Sequence, residues 1–214
     1  MAYFNADLDF QFDPKKDNIA IVIKEFTLKK KADKFQRYSE PYIISLAIDE
    51  SGASNPTIDF NILPFPMVRK GDTVKMVGQG HLIYGPKNPG NFVAFSILFM
   101  ESDRDVRDLG KSIEKIVKSE AVKGGTKALL KALPTHTTSI QVLLQLTDLI
   151  SKMMQRDKDD ELFRRNGTLL QGTTPPYDIL RIYQGENDFI KSELSIIPLK
   201  SSNKLGKHTV KIKL

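Results

Sequence analysis

Apolar and polar residues alternate along the first half of the chain in short runs, punctuated by Gly, Pro and Asn. Leu8, Phe10 and Phe12 alternate with polar neighbours and predict a short strand, closed by a turn over Pro14–Asn18. Ile19–Leu28 and Tyr42–Ile48 predict two further strands. Gly52–Pro56 turns the chain into a strand over Thr57–Ile62. Lys70-Gly71-Asp72 precedes a strand over Thr73–Val77, and Gly78–Gly80 bends into another over His81–Tyr84. Pro86–Gly90 is a loop before a strand over Asn91–Met100. Short strands at this spacing predict an antiparallel sandwich.

The period then changes. Val106, Leu109, Ile113, Ile116 and Val117 recur at three- and four-residue steps, the signature of one helix face. Gly124-Gly125 interrupts, and Ala128–Leu133 resumes a short helical piece that Pro134 ends. Thr137 or Thr138 is the expected cap of the next helix, its hydroxyl accepting an early orphan N–H. Ile140, Val142, Leu143, Leu146, Leu149, Ile150 and Met153 give that helix a broad apolar face. Strand signals return from Gly167, with Ser192–Pro198 as one strand and Thr209–Leu214 as the last. In that last strand Val210, Ile212 and Leu214 face one side and Lys211 and Lys213 the other. The predicted fold class is mainly β: an antiparallel β-sandwich built from residues 1–102 and 167–214, with residues 103–166 inserted as a helical segment.

Composition adds constraints. With 214 residues the chain is long enough for one sizeable core plus an insertion, and 40% hydrophobic with 27% charged residues is ordinary for a globular protein. Cysteine is absent, which rules out disulfides and zinc–thiolate sites and fits a reducing compartment. The opening Met1-Ala2-Tyr3-Phe4-Asn5-Ala6-Asp7 lacks the pattern of a secretory signal, and no stretch approaches the ~20 apolar residues of a membrane span. A soluble, cytoplasmic protein is expected, with any membrane contact peripheral. The net charge is +6, and no acidic residue follows Glu193, while Lys200, Lys204, Lys207, Lys211 and Lys213 accumulate. Such a basic face attracts phosphate groups.

Two acidic stretches carry the candidate chemistry. Ser39-Glu40-Pro41-Tyr42 opens a strand after a loop containing Lys29, Lys30, Lys31 and Asp33. Later, the strand ending at Met100 runs into Glu101-Ser102-Asp103-Arg104-Asp105-Val106-Arg107-Asp108-Leu109-Gly110. Together these motifs resemble the two calcium loops of a C-two domain, the calcium-dependent membrane-targeting β-sandwich of the protein kinase C and synaptotagmin type. The resemblance implies an eight-stranded sandwich whose acidic loops meet at one end. The helical insertion departs from that family and falls inside the second loop.

What the resemblance implies about the site is specific. Asp33 and Glu40 match the acidic residues of the first loop; Glu101, Asp103 and Asp108 match those of the second. Asp157-Lys158-Asp159-Asp160-Glu161 beyond the helices also resembles the second half of that loop, so Asp159 and Asp160 are alternates to Asp108. Calcium takes six to eight oxygen ligands on flexible loops, and it relieves the repulsion of clustered carboxylates. Two positions carry Glu where the family has Asp, which changes the cage geometry. The plainer reading makes the residues around Asp108 an acidic helix start and Asp157–Glu161 a polar loop.

The expected cofactor is therefore calcium and the expected partner an anionic membrane surface, with Lys29, Lys30, Lys31, Lys211 and Lys213 as lipid contacts. The competing reading for Lys211 and Lys213 is that they deter pairing at a sheet edge. A calcium-independent module is the alternative, using the helical segment to bind itself or another protein. For that segment, packing on the sandwich ranks first, a partner second, and membrane contact through Leu129, Leu130 and Leu133 third. His81, His136 and His208 lie in separate segments without metal spacing, and no nucleophile elbow or thiol is present, which argues against an enzyme. Basic residues do not interleave with an aromatic platform, so nucleic acid is not an expected partner.

Overall fold

A computed structural model describes residues 11–32, 38–102, 111, 130–156, 158–200 and 210–213. Ten strands are described among them: β1 (Asn18–Leu28), β2 (Pro41–Asp49), β3 (Thr57–Pro64), β4 (Thr73–Lys75), β5 (His81–Lys87), β6 (Phe92–Glu101), β7 (Asp160–Leu170), β8 (Ile182–Glu186), β9 (Ile190–Leu199) and β10 (Val210–Lys213). A short helix α1 (Glu50–Ser54) joins β2 to β3, and a long helix α2 (His136–Arg156) precedes β7. One five-stranded sheet runs β4-β1-β9-β8, with β5 pairing on the same edge of β1 as β4. The other runs β10-β3-β2-β6-β7. All the pairings are antiparallel.

Alternation along each strand divides the apolar residues between two cores. Ile19, Ile21 and Ile23 of β1 meet Ile43 and Ala47 of β2, Ile97 and Phe99 of β6 and Leu194 and Ile196 of β9 between the sheets. The opposite face of the second sheet, carrying Tyr42, Ile44, Leu46, Ile48, Leu98 and Met100, packs against Val142, Leu143, Leu146, Ile150 and Met154 of α2. Every residue of β2 and β6 is therefore buried, because a sheet covers one face and a helix the other. A hydrogen-bonded polar line crosses the helix–sheet contact. Thr147 Oγ1 lies 2.7 Å from Ser96 Oγ, whose hydroxyl lies 2.7 Å from Asn166 Oδ1 on β7.

The sandwich and its helical insertion agree with the sequence pattern; several details differ. The strand count exceeds eight. β7 begins at Asp160 rather than Gly167, because charges on both faces hide its alternation, and β8 was not anticipated. The hydroxyl that caps α2 belongs to Thr135, which accepts from Thr138 N at 3.2 Å. Leu8 and Phe10, and most of the expected helical stretch from Arg104 to Leu129, lie outside the described residues. Among the described residues no helix is long and apolar enough to cross a membrane.

Candidate functional site

At the end of the sandwich where β2 starts and β6 stops, the described ends of the two acidic stretches are hydrogen-bonded to each other. Ala32 N donates to Glu101 Oε2 at 2.9 Å, tying the loop after β1 to the end of β6. Ser102 N donates to the Glu40 carbonyl at 3.2 Å. Glu101 pairs in register with Pro41 on one side and Asp160 on the other. The motif tyrosine also has a role here: buried Tyr42 donates its hydroxyl to Asp159 Oδ2 at 2.6 Å. The other oxygen of Asp159 accepts from Ser102 Oγ at 3.4 Å.

These contacts decide what the carboxylates can do. Glu101 and Asp159 are each 4% exposed or less, and both accept hydrogen bonds from protein donors. They also lie on opposite faces of the second sheet: Glu101 reaches back to the loop after β1 across the inter-sheet side, and Asp159 joins Tyr42 on the helix side. Glu40 is half-buried and Asp160 exposed. Among the described residues no three His, Cys, Asp or Glu side chains cluster as a metal site. Asp33, Asp103 and Asp108, the remaining expected ligands, lie outside the described residues.

The lysines of the first loop are engaged with a neighbouring turn. Lys29 Nζ donates to the Asn187 carbonyl at 2.8 Å and lies 3.5 Å from Glu186. Lys30 stands over the Phe189 ring, 5.0 Å from its centroid. Lys31 is half-buried. Lys29 and Lys30, both exposed, thus fasten their loop to the β8–β9 turn.

Lys211 and Lys213 stand in a different setting, at the opposite end of the sandwich. Their strand β10 forms the edge of the second sheet, with Lys211 opposite Asp59 and Lys213 opposite Thr57. Both side chains are exposed, and neither makes an ion pair among the described residues. They rim a cleft of about 220 Å³ whose other walls include Ser51, Asn55 and Thr57.

The floor of this cleft is an ionic trio of two buried aspartates and one half-buried lysine. Lys87 Nζ, at the end of β5, lies 2.7 Å from Asp49 and 2.7 Å from Asp59, whose side chains are 2% and 5% exposed. Asp49 also accepts from Gly52 N at 2.6 Å and from the Tyr84 hydroxyl at 2.9 Å. Gly52 is required here: a Cβ would stand 2.6 Å from the Thr57 carbonyl oxygen and 3.2 Å from Asp49 Oδ1. Burial alone would depress the Lys87 ammonium, but Asp59 and Asp49 outweigh it and hold it above its ordinary value. Burial, helped by Asp49, raises Tyr84 well above an ordinary phenol. The floor carries two negative charges against one positive, and the two rim lysines tip the cleft to a net positive charge. Small polar groups around a positive rim suit an anionic head group.

This trio was missed because its members come from β2, β3 and β5 and no local motif joins them. No local signal marked it: Ile58, Phe60 and Ile62 alternate with Asp59 and Asn61, the pattern of a strand with one polar face. Comparison with family models, with curated protein sequences and with solved structures finds no match for this chain.

Proposed function

We propose that this chain is a peripheral binding module for anionic lipid surfaces, and that the cleft of Lys87, Lys211 and Lys213 is its contact. One observation carries the reading: two exposed lysines without ion-pair partners among the described residues stand over a polar cleft at a sheet edge. No catalytic role is assigned to the cleft, and a cytoplasmic location at the membrane periphery belongs to the same proposal. A second reading retains calcium as cofactor at the other end, where Glu40, Glu101 and Asp160 adjoin the loop after β1. The hydrogen bonds between the described ends of the two acidic stretches favour it. The nine residues of β2 separate the two ends by about 30 Å at ~3.3 Å per residue, so the readings bring opposite ends to the membrane.

Vesicle sedimentation separates them. Phosphatidylcholine vesicles with and without phosphatidylserine are compared, with and without calcium. Under the first reading binding needs phosphatidylserine but not calcium, and it weakens with salt. Replacing both rim lysines (Lys211→Gln with Lys213→Gln) weakens it about thirty-fold, at ~1 kcal/mol per lysine. Binding that requires calcium and ignores the double variant supports the second. No sedimentation under any condition removes both and leaves the calcium-independent protein-interaction alternative.

A further inference from the structure

At the other open edge of the sandwich, where β7 faces β8 and β9, lies a cavity of about 210 Å³. Its apolar wall includes Phe95, Leu194 and Ile196; its polar wall includes Arg165, Asp178 and Tyr183. The cavity follows from the residues that β7 turns inward. Phe163, Arg165, Gly167 and Leu169 pair with Phe99, Ile97, Phe95 and Val93, all members of the inter-sheet core. Gly167 contributes no side chain to that layer. The Phe95 ring fills part of the gap, so closely that a Cβ on residue 167 would stand 2.6 Å from its Cζ.

Arg165 is a half-buried charge at the edge of the inter-sheet core. Its guanidinium crosses to the first sheet, where Nη1 donates to the carbonyls of Tyr183 and Ser192, both at 3.2 Å, and to Ser192 Oγ at 3.1 Å. Nη2 donates to Tyr183 O at 3.3 Å. No carboxylate pairs with it among the described residues, and Nε donates to no acceptor among them. Asp178, which shares the cavity, pairs with Arg181 at 3.1 Å. The neighbouring Arg164, pointing to the opposite face, is paired with both Glu161 and Asp148. Burial pushes Arg165 down to about 10, so it stays charged at neutral pH while poorly solvated. Carbonyl dipoles stabilise such a cation without neutralising it, and buried charges ordinarily have a counter-charge. The adjoining loop adds a second peculiarity. Tyr177, Asp178 and Leu180 hold φ values of 53°, 52° and 63°, a left-handed conformation that side-chain-bearing residues rarely adopt and that clusters at ligand clamps.

We propose that this cavity binds a small apolar carboxylic acid, whose carboxylate pairs with Arg165 and whose hydrocarbon or aromatic body packs against Phe95, Leu194 and Ile196. A cavity of about 150 Å³ accommodates benzene, so this one has room for an acid the size of benzoate. The site lies across the sandwich from the lysine cleft and does not depend on the lipid reading.

The test is an amide-resonance titration of the isotopically labelled full chain with benzoate, and with benzamide as an uncharged molecule of the same shape. Benzoate should shift the amide resonances of Gly167, Tyr183 and Leu194 saturably, and benzamide should bind at least about tenfold more weakly, since a hydrogen bond to a charged group outweighs a neutral one. Arg165→Gln should bring the two probes to similar affinity. Equal affinities in the wild type, shifts confined to the Lys211 and Lys213 cleft, or no saturable shift at millimolar benzoate would each overturn the proposal. Should Arg165→Gln fail to fold, the wild-type comparison of the two probes decides alone.

Discussion

Lys87→Met tests the ionic trio directly. Each Lys87–carboxylate contact of 2.7 Å is worth about 6 kcal/mol of gross attraction at an effective dielectric of ~20. Desolvating the three groups costs several kcal/mol per ion, so the intact trio contributes little net stability. Removing its cation is another matter. Asp49 keeps two neutral donors, Gly52 N and the Tyr84 hydroxyl, but two carboxylates under 6% exposed then face each other with no positive charge. Breaking a buried pair from one side costs about 3–5 kcal/mol. The lower half of that range is expected here, because the Lys87 side chain is 31% exposed and water can partly replace it. Urea unfolding followed by circular dichroism near neutral pH measures the loss. A variant neutral at all three positions (Asp49→Asn, Asp59→Asn, Lys87→Met) should recover most of the stability. A loss below about 1 kcal/mol in Lys87→Met, or a triple variant no better than the single, would refute the idea that the trio is desolvated and mutually dependent.

Two further outcomes are expected. Leu146→Ala, which truncates a side chain 1% exposed between α2 and the second sheet, should lower unfolding free energy by about 3–4 kcal/mol; a loss under about 1 kcal/mol would mean that the helix is not docked as described. Tyr84 is raised well above 10.0 by burial and then by Asp49, so its proton is bound more tightly in the folded than in the unfolded chain. Its contribution is complete below the unfolded value and lost as pH rises through the folded one. The stability difference between wild type and Tyr84→Phe should therefore shift against the wild type as pH climbs past 10.0, and a difference that stays flat across that range would contradict the assignment.

The central strands were legible because their residues repeat a single message. Ile19–Leu28, Tyr42–Ile48 and Asn91–Met100 are apolar nearly throughout, and the strands observed there begin and end within a residue of those bounds. The apolar face of α2 was equally plain at Val142, Leu143, Leu146 and Ile150. Its breadth raised the prospect of a partner, but the second sheet covers it. β7 was obscured because Glu161 and Arg164 face α2 while Arg165 faces the other sheet, so polarity marks neither side as the solvent side. The resemblance offered Glu101 and Asp159 to one cage, whereas the sheet between them separates them by face. Glu101 and Asp159 consequently end on opposite sides of one sheet. The ionic trio and the Arg165 cavity are products of tertiary pairing between distant strands, which no spacing rule encodes.

The burial of β2 and β6 on both faces has a consequence for how the chain can be shortened. A segment inserted into a loop is usually dispensable, and a sandwich closes the gap with a tight turn. Here β6 and β7 are neighbours in the sheet, Glu101 lying opposite Asp160, and a direct hairpin between them is geometrically simple. Such a trimmed chain would keep every backbone pairing but uncover Tyr42, Ile44, Leu46, Ile48, Leu98 and Met100 at once, a continuous apolar strip along the two central strands. That strip is a template for self-association. The helix and the sheet it covers are thus a single unit of inheritance: a descendant that lost the one would have to rewrite alternate positions of the other.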